Sequence, residues 1–114
     1  MDKQPEIVIY TITSLFTRNP DADSKYLYKP EIDFRSRLVG IYKTLEKAKQ
    51  CVVEDWPGFD EAGYYNYIVI EPLWEGCYPG MGDNYVWFKH DYDNRKWIPC
   101  EQPNCFKGIV NFYG

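Results

Sequence analysis

The chain has 114 residues and a mass of 13.6 kDa, with 13 Lys and Arg against 17 Asp and Glu and a formal net charge of −4. That length supports one domain, spanning 1–114, because a chain of this size buries roughly two thirds of the surface its unfolded form exposes. Hydrophobic residues at 45% exclude a disordered tail, and the acidic balance argues against a protein that tracks nucleic-acid phosphates. Aromatic residues reach 18%, with eleven Tyr, six Phe and four Trp, and this surplus is the unusual feature of the composition. Four Cys are too few for a disulfide scaffold.

From the N-terminus, Ile7 to Thr13 is β-branched and aromatic and predicts a first strand. Residues 17–34 break that pattern with Pro20, Pro30 and mixed charge, a long excursion of the kind that is often functional or mobile. Arg37 to Tyr42 predicts a second strand. Thr44 can cap a helix over about 45–55, whose apolar positions Leu45, Ala48, Val52 and Trp56, with Val53 beside them, recur at spacings of three and four. Pro57 and Gly58 stop it.

Tyr64 to Glu71, closed by Pro72, reads as a strand apolar on both faces and therefore central. Tyr85 to His90 and Arg95 to Cys100 flank Asp91 to Asn94, a hairpin connection in which Asn or Asp can take a positive φ. Pro99 marks the second arm as an edge. Gly108 to Tyr113 completes the set. The resulting class is α+β: a mostly antiparallel sheet of about six strands with one amphipathic helix packed on a face. One helix cannot cover so wide a sheet, so the other face is expected to curl on itself or meet a second subunit in a homo-oligomer.

No basic leader with a cleavage site precedes the Ile7 run, and no apolar stretch is long enough to span a membrane. The expectation is a cytoplasmic protein whose Cys51, Cys77, Cys100 and Cys105 are reduced thiols.

Chemistry-bearing motifs are sparse. Cys100 and Cys105 form a C-x4-C pair, but zinc needs two such pairs or added His, and His90 stands alone. Asp91 to Asn94 resembles the opening of a calcium loop, yet the positions that require Gly and Glu hold Lys96 and Gln102. Gly76, Gly80 and Gly82 lack the Lys and following helix of a phosphate loop. No acid, base and nucleophile stand together at a known spacing. The expectation is a non-enzymatic protein with no catalytic residues, no metal and no cofactor.

The aromatics offer more. Tyr and Trp are favoured on binding surfaces, and their rings stack on nucleobases. Tyr64, Asn66, Tyr67, Trp87 and Trp97 lie on strands that can adjoin, and are assigned to base or ribose contacts. Arg35 and Arg37, where the excursion enters the second strand, are assigned to phosphates. The alternative surface is acidic and aromatic, Glu54 to Glu61 around Trp56 and Phe59, and fits a basic patch on a partner protein.

Arg37 to Ala48, Gly63 to Glu71, Gly76 to Pro79 and Trp87 to Lys89 together resemble small proteins carried by phages and gut Firmicutes, over roughly residues 36–113. The resemblance carries no catalytic motif. It implies a phage or mobile-element context, in which small acidic proteins often act as anti-defence factors. The expected function is sequestration of a nucleotide-derived immune signal, a cyclic nucleotide or an ADP-ribose derivative of the Thoeris or CBASS type. The alternative is an inhibitor that blocks a host defence protein such as a CRISPR effector.

Overall fold

A computed structural model describes residues 7–27, 29–54, 65–74, 85–107 and 112. Five strands are present among them: β1 (Ile7–Phe16), β2 (Arg35–Tyr42), β3 (Tyr67–Trp74), β4 (Val86–Asp91) and β5 (Lys96–Cys100). One helix, α1 (Leu45–Val53), lies between β2 and β3. The strands form a single sheet in the order β2-β1-β3-β4-β5, and every neighbouring pair is antiparallel. The sixth strand expected over 108–113 lies outside the described residues, except for Phe112.

The two-sided apolar strand is central, as its composition requires, and Pro99 lies on an edge. β3 does not stop at Pro72 but runs through it to Trp74. Pro72 faces Tyr10 beside a register shift between Ile7 and Ile9, where β1 carries one extra residue. An irregular ladder tolerates a residue without an N–H.

Thr44 caps α1 by accepting the Lys47 N–H at 3.3 Å. The helix ends at Val53, two residues earlier than the periodicity predicts. Val53 is exposed, and Cys51 takes its place in the core with Ala48 and Val52. Trp56, Pro57 and Gly58 lie outside the described residues. In the β4–β5 connection the left-handed residue is Arg95, at φ 53, rather than an Asn or Asp. Asp91 instead shapes the turn through its side chain, accepting from Asp93 N, Asn94 N and Asn94 Nδ2.

Strand alternation sorts the buried side chains into two cores. Ile12, Ile68, Ile70, Phe88 and Trp97 pack with the helical Ala48, Cys51 and Val52 on one face. Leu15, Val69 and Trp87 pack on the other with Leu27, Ile32, Cys105, Phe106 and Phe112. The covering layer of this second face is therefore the chain itself: the excursion after β1 and the segment after β5. Of the two ways expected for this face to be covered, closure by the chain itself is the one seen among the described residues. The excursion is built into the fold because Leu27 and Ile32 each remove an aliphatic side chain from water, worth roughly 1.5–3 kcal/mol apiece.

The buried Glu71 on β3 holds the backbone of Phe112. Both of its carboxylate oxygens accept from Phe112 N, at 3.1 and 3.0 Å. These bonds offset part of the cost of burying a polar side chain.

Candidate binding cleft

Residues 17–34 leave the sheet at the end of β1 and return at the start of β2, and bonds across the base of the excursion shape it. Buried Thr17 is the hub. Its hydroxyl donates to Ile32 O at 3.4 Å and accepts from Asn19 N at 3.1 Å, while Arg18 N donates to Ile32 O at 2.8 Å. The Cys105 thiol donates to the same hydroxyl at 3.7 Å. Further out, Asn104 Nδ2 donates to the carbonyls of Asp21 and Ala22, both at 3.1 Å, and Cys105 N donates to Pro20 O at 3.0 Å.

Inside this frame a 3-10 turn over Ser24–Tyr26 is capped by Asp23, which accepts the Lys25 N–H. Lys29 N then donates to Tyr26 O and Ile32 N to Lys29 O. These turns enclose an open cleft of about 310 Å³ lined by Asn19, Ala22, Tyr26, Lys29, Glu31 and Ile32. Ala22 and the buried Ile32 make it apolar in part, while Tyr26 is 45% exposed and carries the Lys25 ammonium 4.9 Å from its ring centroid. Ligand pockets span roughly 300–1,000 Å³, so this one suits a small molecule.

Cations and acids alternate around the cleft. Asp33, held at φ 51, takes Arg35 Nη2 at 3.1 Å and Arg18 Nε at 3.5 Å on one carboxylate oxygen. Arg35 also lies over the Phe16 ring, 4.3 Å from its centroid. The excursion therefore has no strong field of one sign.

The residues assigned to a ligand from the sequence fall in different environments. Trp87 is 6% exposed and stacks on Phe106 at 5.7 Å, inside the second core. Trp97 is 4% exposed and sits in the helix-side core against His90. The two tryptophans are on opposite faces of the sheet, so they share no aromatic shelf. Tyr67 lies edge-on to Phe106, half-buried, and burial raises its phenol pKa, with the Cys100 and Cys105 thiols adding to the effect. Asn66 uses its amide on the Thr17 backbone, at the base of the excursion. Arg35 is engaged by Asp33 and Phe16, and Arg37 is exposed on β2 opposite Ser14. Tyr64 lies outside the described residues, as do Cys77, Gly76 to Gly82 and all of the acidic-aromatic surface except Glu54.

Of these residues, Asn66, Tyr67 and Trp87 converge on the layer that supports the cleft, but none lines it. Tyr26 and Lys29 do, and sequence reasoning passed over both. The available signal was an aromatic residue inside a polar, turn-rich stretch, where no strand or helix face exists to bury it.

Cys51, Cys100 and Cys105 are free thiols. Burial raises the thiol pKa of Cys100 and of Cys105. Among the described residues no three His, Cys, Asp or Glu side chains gather as metal ligands, and no helix is long and apolar enough to cross a membrane. No protein-family model, curated protein or solved structure matches this chain.

Proposed function

We propose that this protein works by binding, and that its ligand is a nucleotide-derived small molecule seated in the cleft of residues 19–32 rather than on the sheet. The observation that carries this reading is one cleft presenting an exposed aromatic ring, a cation, a carboxylate and an amide residue: Tyr26, Lys29, Glu31 and Asn19. Each matches one part of a nucleotide. A tyrosine ring stacks on a base, an ammonium meets a phosphate, a carboxylate accepts from ribose hydroxyls, and a side-chain amide can bond the edge of a base.

The resemblance to phage-borne proteins adds a context in which such a ligand is an immune signal and binding removes it from circulation. Sequestration needs no catalytic group, only a preformed site, and the hydrogen bonds across the base of the excursion supply that rigidity.

Calorimetry against AMP, cyclic mononucleotides, cyclic dinucleotides and ADP-ribose tests the reading. Saturable binding of one class is expected, lost in Tyr26→Ala and weakened in Lys29→Glu. Absence of binding at millimolar ligand, or binding that neither substitution changes, overturns it.

A further inference from the structure

The cleft of residues 19–32 is small and electrically balanced. Its volume of about 310 Å³ lies at the bottom of the range for ligand pockets, which suits one base with its sugar and phosphate better than two linked nucleotides. Among the described residues that line it, the charges are one ammonium, Lys29, and one carboxylate, Glu31. Both residues are exposed.

Two guanidinium groups stand close by, and one acid holds them both. Arg18 precedes the lining Asn19, and its N–H donates to the carbonyl of Ile32, also in the lining. Asp33 follows Ile32 and donates its own N–H to Lys29 O at 3.4 Å. The Oδ2 atom of Asp33 takes Arg35 Nη2 at 3.1 Å and Arg18 Nε at 3.5 Å. A guanidinium that already faces a carboxylate meets a phosphate only by giving up part of that pair. Arg35 is further engaged by the Phe16 ring, and Lys25 stands over Tyr26 without lining the cleft. From residue 17 to residue 35 the chain carries four cations and four acids, so this region has no net positive charge.

Building on the reading of this cleft as a nucleotide site, we infer that it selects a cyclic mononucleotide, a single base with a phosphodiester of one negative charge. Lys29 meets that charge. ADP-ribose and cyclic dinucleotides carry two, and a phosphomonoester carries nearly two at neutral pH. The further charge falls near Glu31, where like-charge contact penalises it. An uncharged nucleoside leaves Lys29 without its partner. Asp33 sets this limit through Arg18 and Arg35, by keeping two cations paired that would otherwise favour a second phosphate.

The test is calorimetry at neutral pH with adenosine, cyclic AMP, AMP, ADP-ribose and cyclic di-AMP, and with the corresponding guanine compounds, compared within each base. For one base, the cyclic mononucleotide is expected to bind about tenfold more tightly than any other member of its series. Lys29→Gln is expected to bring it down to the level of the nucleoside. Asp33→Asn removes the charge that holds both guanidinium groups and is expected to raise the affinity for ADP-ribose relative to cyclic AMP at least about threefold. Asparagine tolerates the φ of 51 at this position, so the excursion keeps its path. Equal or tighter binding of ADP-ribose, a cyclic dinucleotide or the monoester overturns the selection while leaving the cleft as a nucleotide site. Equal binding of the nucleoside overturns it in the same way. No binding of any compound at millimolar concentration overturns both. The series on the unaltered protein decides the question even if a variant folds poorly.

Discussion

Asn66 and Thr17 hold each other by two hydrogen bonds across 49 residues of sequence: Thr17 N donates to Asn66 Oδ1 at 3.1 Å, and Asn66 Nδ2 donates to Thr17 O at 2.7 Å. The side-chain amide stands in for a strand residue at the point where β1 ends. Asn66 N meanwhile donates to Leu15 O, and Asn66 O accepts from His90 N, so this one residue joins three parts of the fold.

Replacing Asn66 by Ala leaves a buried N–H and C=O of Thr17 without their partner. The expected cost is about 1–3 kcal/mol in urea unfolding. Asn66→Asp keeps the acceptor but loses the donor, and is expected to remain destabilised. Wild-type stability in both variants would show that the pair does not hold the base of the excursion.

Trp87 and Trp97 answer to stability before ligand affinity. Each fills one of the two cores, and truncation to Ala is expected to cost about 3–5 kcal/mol. Denaturant midpoints check this directly. A Trp97→Ala protein of unchanged stability that had lost a ligand would return this residue to the binding surface.

Glu71 is expected to be intolerant of truncation. Glu71→Ala removes both oxygens that accept from Phe112 N and leaves that buried donor unsatisfied, at about 1–3 kcal/mol. Loosening should begin at the C-terminal segment. Hydrogen exchange of the Phe112 amide, measured against the β3 amides, reads this out. Equal acceleration of both in the variant would contradict the assignment.

Burial raises the thiols of Cys100 and Cys105, which fixes the sign of their contribution. As pH rises, these thiols ionise first in the unfolded chain, so the stability they allow is complete below the ordinary thiol range and declines above about pH 8.5. Tyr67, raised mainly by burial, acts in the same direction above about pH 10. Urea midpoints between about pH 7 and pH 10 should fall, and fall less steeply in a Cys100→Ala/Cys105→Ala protein. An identical slope in that variant would assign the decline to other groups.

Much of the fold was legible locally. The Thr44 cap, the apolar spacing of α1 and the β-branched run of β1 are short-range signals, and each element formed where they lie. The two-sided apolarity of β3 and the proline of β5 also located those strands in the sheet order. The cleft was less legible. Tyr67, Trp87 and Trp97 read equally as core or as surface, because alternation gives the face a side chain points to and not what lies over that face.

The sequence by itself thus determined a mostly antiparallel α+β arrangement with one helix and with its aromatics concentrated in the later strands, since periodicity and capping act over a few residues. Only the tertiary structure decided that the aromatic face is closed by the chain's own excursion and C-terminal segment, and that Tyr26 and Lys29 are left in the open. The contacts responsible join distant positions, such as Asn104 to Asp21 across 83 residues. They form because burying Leu27, Ile32 and Phe106 against Trp87 and its neighbours removes apolar surface from water, a gain that belongs to the assembled layers and is written in no single segment.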